Sequence, residues 1–567
     1  MTRAMRCWPV TLILMLLPLW CSGLFGRWYW TPDEPREADI AWNMVHQQQK
    51  AVPEMAGVPF CEKPPIAYWA SGASLAVFGK TPAAARLPNL LWAIIAVLAI
   101  AWLAHGCGGA PAALAAGVAT ATFSLSFQVS IWLASDAPLV AGVCVALLGA
   151  FRGAGAPPGR QKLAWYTLMH AGLALGFLAK SAMGLVVPGL ALMTFLLWER
   201  RWRELLRWEL AAGLLLQAVV VGSWLQAVAA QPDGQHFLKV FLWDNLVGRF
   251  LPVASEGHYA DGHHNAPFKY LIELPIYLLP WTFLMGAAAY RGWRGVRDAT
   301  VDRAAWRWCV CVVVPSLVVL SAASTGRGIY LAPLMPGFAV ALGLWVARHL
   351  ARPDRFERAC LWLTMVLVAL AALVAAPGIL AVAGLTDHIM PSVPILVMVL
   401  GGSAAAAVGL RMLWHQHRGA YGAALCTAML ALNLTLLVAW YGLFPLVDRW
   451  QDLTPTVTRV AALTAHQTIV LWQPDETIVA NLDYLAGLRL PSVTESVQLH
   501  DWSAREPKLL VLVRLHKGAA DPLLQQLGFT LSEQLTIPCG RMYGIFSRTP
   551  SSDATVSTLP GQAPSSL

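Results

Sequence analysis

Charged side chains are scarce in this chain: Asp, Glu, Lys and Arg make up 13% of its 567 residues, against 57% hydrophobic residues. A water-soluble protein of this length needs far more charge to cover its surface, so an ordinary soluble enzyme is excluded. Familiar enzyme motifs are missing too. There is no phosphate-binding P-loop, no Gly-rich dinucleotide fingerprint and no Ser-His nucleophile motif, as fits a site in a compartment without nucleotides. The ten cysteines form no paired CxxC, and Cys309-x-Cys311, inside an apolar run, reads as packing rather than a metal site. Cys61 and Cys539 both fall on the outer face in the topology below, where oxidation is permitted, but their spacing does not pair them. The net charge of +9 is not gathered into a basic stripe interleaved with aromatics, so nucleic acid is excluded as a partner. No internal repeat marks an inverted-repeat transporter.

What the chain has instead is apolar runs of bilayer-crossing length, with a mean hydropathy of +0.56. Spans are expected at roughly 8–27, 83–104, 110–128, 131–151, 163–179, 182–198, 209–229, 268–290, 305–322, 329–347, 359–383, 390–410 and 420–445, about thirteen helices. Arg3 and Arg6 precede the first run, no small-x-small cleavage site follows it, and Trp28, Tyr29 and Trp30 close it as an interfacial belt, so it reads as an uncleaved span. Arginines in alternate connections, from Arg152 and Arg160 through Arg200, Arg291, Arg348 and Arg411, share the side of Arg3 and Arg6. The positive-inside rule makes that side cytoplasmic, and an odd number of spans puts the C-terminus in the periplasm.

The long segments 28–82 and 230–267 then face the periplasm. Residues 37–49 read as a helix lying along the membrane surface, and 66–78 as a second interfacial or re-entrant helix. From 447 to 548 the composition turns to short buried strands, TIVLWQ, TIVANL and KLLVLVRL, with helical stretches near 455–465 and 520–527. This predicts a small periplasmic α/β domain. Residues 549–567, rich in Ser, Thr and Pro, read as a disordered tail.

Ionisable residues at membrane depth are costly and point to function. TPDEPREAD carries Asp33, Glu34, Arg36, Glu37 and Asp39; Glu37 and Asp39 also suit a solvated helix start. FCEKPPIAYW carries Glu62 and Lys63 before two prolines that stiffen the backbone. Asp136, Lys180, His264 and Arg327 complete the set. All fall at the periplasmic ends of spans, which predicts one polar site at the outer interface. Carboxylates beside cations suit transfer from an activated lipid-linked donor: a base for the acceptor hydroxyl and cations for the departing phosphate.

The order DExR after the first span, EKPP, a span-end Asp, a span-end Lys, H-x-APF and S-x-G-[KR]-x-x-Y resembles the C-type (GT-C) membrane glycosyltransferases that use polyprenyl-phosphate sugars. The likeness is greatest to the lipid A aminoarabinose transferase group and extends more distantly to protein O-mannosyltransferases. It covers residues 10 to about 340. It implies an α-helical polytopic fold, a catalytic set of Asp33, Glu34, Arg36, Lys63 and Asp136, with Asp33 as base oriented by Arg36, and a donor phosphate held by Lys63, Arg327, Arg249, Lys180 and Tyr330. Glu62 lines the donor site; with His264 it is a candidate for a divalent metal, though two ligands make a poor metal signature. Two positions depart from the family pattern. No arginine shortly precedes Asp136, and Ser181 stands where glycine is expected after Lys180. The resemblance implies an undecaprenyl-phosphate donor and a lipid, glycan or protein acceptor. A protein O-glycosyltransferase of the same fold, or a flippase for a lipid-linked substrate, are the competing readings.

Overall fold

The computed structural model describes residues 7–244, 265–266, 268–297, 302–323, 326–385, 392–515, 522–537 and 540–548. Arg249, His264, Cys539 and the 549–567 tail lie outside the described residues. The chain divides into two compact units, the first ending at Asp448 and the second beginning at Arg449.

The first unit is helical. Helix α1 (Trp8–Leu24) leads to α2 (Asp33–His46), a two-residue hairpin of β1 (Glu54–Met55) and β2 (Val58–Pro59), and α3 (Ile66–Phe78). Then follow α4 (Pro82–Thr122), α5 (Ser124–Ile131), α6 (Asp136–Gly155), α7 (Arg160–Lys180), α8 (Met183–Trp198), α9 (Trp208–Ala229), α10 (Gly234–Lys239), α11 (Lys269–Tyr277), α12 (Thr282–Gly295) and α13 (Arg303–Ala322). A 3-10 turn, Gly328–Leu334, opens α14 (Met335–His349), and α15 (Arg355–Leu385), α16 (Ser392–His417) and α17 (Tyr421–Trp450) complete the unit.

The expected apolar runs are largely helical among the described residues, with breaks at 132–135 and 278–281. Among the described residues, eight helices are long and apolar enough to cross a membrane, or nine if α11 and α12, bent by 112° at their junction, count as one. The break expected between 104 and 110 is present inside α4. Gly109 adopts φ 70°, ψ −163°, a backbone open to glycine and costly for other residues, and Pro111 follows two residues later.

Small residues let α6 and α7 pack closely. A Cβ on Gly142 of α6 would lie 2.6 Å from the Gly176 backbone nitrogen of α7, and one on Gly172 would lie 2.5 Å from the Ala146 nitrogen. Only bare backbone allows this approach. It brings the first residue of α6, Asp136, against the last of α7, Lys180.

In the second unit, α18 (Thr454–Thr464), β3 (Ile469–Trp472), α19 (Glu476–Ala486), β4 (Ser492–Val493), α20 (Ser496–Arg505), β5 (Leu510–Leu515), α21 (Pro522–Gln526), β6 (Phe529–Thr536) and β7 (Met542–Arg548) form an α/β layer structure. The sheet order is β4-β3-β5-β7-β6, with β3 parallel to β4 and β5, and β7 antiparallel to β5 and β6. Separate apolar clusters cover its two faces. One expectation is corrected here: TIVANL, read as a strand, lies in α19. Asp475 caps that helix by accepting the Ile478 amide at 2.9 Å, and Gly487 closes it with φ 65°. Cap and stop outweigh the β-branched content of the segment.

Candidate active site

The start of α2 carries adjacent carboxylates with opposite fates. Both sit in the first turn, where the positive helix end favours them. Glu34 turns inward. Its oxygens accept from Arg27 (2.6 and 3.0 Å), Arg86 (2.9 and 2.9 Å), the Trp30 amide (2.8 Å) and the Leu133 amide (2.9 Å). Neither its side chain nor those of the two arginines is exposed. Burial by itself would raise this carboxyl, but Arg86 and Arg27 overcome it and hold the pKa at about 2. Arg27 also donates to the Gly23 and Ile131 carbonyls, and Arg86 to those of Arg27 and Trp28. Glu34, expected among the catalytic carboxylates, is therefore a junction joining the end of α1, the start of α2, α4 and the α5–α6 turn. Six donors already converge on its two oxygens, leaving little capacity for substrate.

Asp33 turns outward. Arg36 donates to it at 3.1 Å and, with the same Nη2, to Glu37 at 3.1 Å; Lys63 donates to the same Glu37 oxygen at 2.6 Å. The two motifs, 26 residues apart, thus meet in a line of alternating charge: Asp33, Arg36, Glu37, Lys63. Asp33 is its most open member at 28% side-chain exposure, and Glu37 its most buried at 2%. Burial pushes the Glu37 carboxyl up, yet Lys63 and Arg36 bring it below the usual carboxylate range. The prolines after Lys63 end its segment and start α3, and Arg36 also lies over the Phe60 ring at 5.5 Å.

A second pair forms where α6 meets α7. Lys180 donates to Asp136 at 2.6 Å, with side chains 13% and 7% exposed. Its Nζ also stands 5.4 Å from the centre of the Tyr330 ring. The Tyr330 amide donates to the Arg327 carbonyl at 3.0 Å, so the 3-10 turn presents Tyr330 to Lys180 while the Arg327 side chain is exposed. Glu34 ties this pair to α2 through Leu133, three residues before Asp136. Arg249 and His264 lie outside the described residues. Among the described residues no group of three or more His, Cys, Asp or Glu is placed to hold a metal ion, and Glu62 alone makes no site.

Sequence reasoning missed five residues that build this region. Glu37 and Asp39 read as a solvated helix start, yet both are buried, and Asp39 accepts the Ala56 amide at 2.8 Å. Arg27 and Arg86 were passed over. An arginine at the head of an apolar run, as in PAAARLPN, was the available signal for Arg86. Asp448, at the end of α17, accepts the Trp28 amide at 2.8 Å and the Trp30 indole at 2.7 Å, a contact with no sequence signal.

The chain is a glycosyltransferase of the bacterial inner membrane, and its polytopic helical fold, with carboxylates and cations gathered at helix ends, resembles that of the C-type membrane glycosyltransferases. Within that class it is similar to the aminoarabinose transferases. Residues 62–225 match the family model described as dolichyl-phosphate-mannose-protein mannosyltransferase. The undecaprenyl phosphate-alpha-4-amino-4-deoxy-L-arabinose arabinosyl transferase of Edwardsiella ictaluri is 28% identical over 431 residues, 74% of this chain and 75% of that one. Its namesake from Pseudomonas aeruginosa strain PAO1 is 30% identical over 291 residues, 51% of this chain and 50% of that one. The fold matches the crystal structure of ArnT from Cupriavidus metallidurans bound to undecaprenyl phosphate, with a TM-score of 0.72, 19% identity, and coverage of 96% of this chain and 98% of that one.

Proposed function

We propose that the enzyme takes a sugar from an undecaprenyl-phosphate carrier and transfers it to an envelope acceptor at the outer face of the inner membrane, with aminoarabinose and lipid A as the donor sugar and acceptor. The arginine distribution supports a cytoplasmic N-terminus and a periplasmic second unit. The observation that carries the reading is the line from Asp33 to Lys63, with an open carboxylate at one end and a cation at the other.

In this reading the acceptor hydroxyl oxygen attacks the anomeric carbon of the donor. The bond from that carbon to the phosphate oxygen breaks, and its electron pair leaves with the polyprenyl phosphate. Asp33 takes the hydroxyl proton, and Arg36 holds the Asp33 carboxylate in place. The leaving phosphate gains a negative charge, which Lys63 stabilises together with Arg327. Arg327 supplies a planar fork suited to phosphate oxygens. Lys180, paired with Asp136 and packed on Tyr330, flanks the same site.

The test is a transfer assay with purified protein, undecaprenyl-phosphate aminoarabinose and lipid A, run beside Asp33→Asn and Lys63→Ala. Asp33→Asn is expected to remove transfer while undecaprenyl phosphate still binds, and Lys63→Ala to weaken that binding. Near-normal turnover by Asp33→Asn ends the base assignment. Movement of carrier across vesicles without sugar transfer ends the reading as a whole.

A further inference from the structure

Glu37 sits between the two ends of the proposed machinery and touches neither substrate position. One of its oxygens receives both Lys63, at 2.6 Å, and Arg36, at 3.1 Å. The other oxygen is buried and faces the buried Tyr68 hydroxyl. Glu37 and Tyr68 line a small cavity of about 10 Å³ with Ser71, Asn89 and Leu133.

Two exchanges follow from this geometry. A donor phosphate near Lys63 competes with Glu37 for the ammonium. As Lys63 is drawn away, Glu37 loses one of its two cations, and in a buried site its remaining charge binds Arg36 more strongly. Arg36 uses the same Nη2 for Glu37 and Asp33, so a stronger bond on one side weakens the other. Asp33 is then less neutralised and better able to take a proton. The line would convert arrival of donor at Lys63 into activation of Asp33 at the other end.

We propose that Glu37 is a positioning residue that couples donor binding at Lys63 to release of Asp33 from Arg36. The proposal rests on the roles given above to Asp33 and Lys63. It predicts an unusual split between binding and turnover. Replacing the carboxylate with an amide removes a competitor for Lys63, so phosphate binding should not suffer, while the link to Arg36 is lost.

The experiment uses the full chain in detergent or nanodiscs, with undecaprenyl phosphate as the binding probe and the transfer assay for rates. Glu37→Gln is expected to bind undecaprenyl phosphate as tightly as wild type or a few-fold tighter, with kcat lowered roughly 10- to 100-fold, the range of a base that is present but poorly engaged. Glu37→Asp, which keeps the charge, should recover most of kcat. The proposal is overturned if Glu37→Gln weakens phosphate binding in step with turnover, or if kcat is unchanged. If Glu37→Gln does not fold, Glu37→Asp decides alone: turnover within a few-fold of wild type supports coupling by charge, and loss of phosphate binding overturns it. Lys63→Ala in the same binding assay separates the two levels. Unchanged binding there removes the donor-site reading itself, whereas lost binding there, with weakened binding in Glu37→Gln, removes only the coupling.

Discussion

Arg86 and Glu34 form a two-bond pair, Nε to Oε1 and Nη2 to Oε2, both at 2.9 Å, with no side-chain exposure on either partner. Arg27 grips the same carboxylate from another direction, so two guanidiniums on segments 59 residues apart share one anion. This junction fixes the start of α2, and with it the direction in which Asp33 faces.

Removing one member should leave buried charge uncompensated. Arg86→Met is expected to destabilise the protein by about 3–5 kcal/mol and to lower the yield of folded protein. Asp33→Asn, at a more open position, should change stability by less than about 1 kcal/mol. Thermal unfolding of the two purified variants in one detergent checks the contrast; equal melting temperatures would count against the junction.

The depressed Glu34 pKa sets a pH window. Its folded value of about 2 lies below the unfolded 4.5, so the stabilisation is fully present above about pH 4.5. It is lost as pH falls toward 2, and amounts to roughly 3 kcal/mol. The melting temperature of wild type should fall between pH 4.5 and 2 more steeply than that of Glu34→Gln, which should start lower. Parallel curves would show that Glu34 is not the group being titrated.

Lys180 and Asp136 are expected to behave as a coupled pair. Lys180→Met alone should cost about 3 kcal/mol by stranding Asp136, and adding Asp136→Asn should restore much of that. Under the proposed donor-site role of Lys180, transfer should stay low in the double variant, because a neutral pair cannot serve the phosphate. A double variant that regains activity along with stability would make the pair purely structural.

Ser181 follows Lys180 with φ 53° and ψ −140°, a backbone that costs a non-glycine residue about 1–3 kcal/mol. It is offset in part by the bond from its hydroxyl to the Phe241 carbonyl, at 3.1 Å. Ser181→Ala keeps the strain and loses the bond, so it should be less stable than wild type by about 1 kcal/mol. Ser181→Gly loses the bond but sheds the strain and should be more stable than Ser181→Ala. Melting temperatures of the three proteins give the order, and Ser181→Gly at the bottom would contradict it.

The helical character of the first unit was legible in the sequence because hydrophobic runs of bilayer length have few alternative structures. The α2 and α3 helices were legible for a related reason, since apolar spacing and a proline stop act locally. Asp33, Arg36, Lys63, Asp136 and Lys180 could be selected because charge at membrane depth is rare. Partners could not be read in the same way. That Lys63 meets Glu37, that Lys180 meets Asp136, and that Glu34 belongs to Arg27 and Arg86 depends on which segments pack together. TIVANL shows the limit in the second unit: its β-branched residues suggested a strand, and the Asp475 cap made it a helix. Sequence by itself determined that this chain lives in a membrane and which charges are costly there, because both follow from the solvent. Tertiary structure alone decided which of those charges are sealed into the frame and which remain open to solvent, because burial and pairing arise only when distant segments meet.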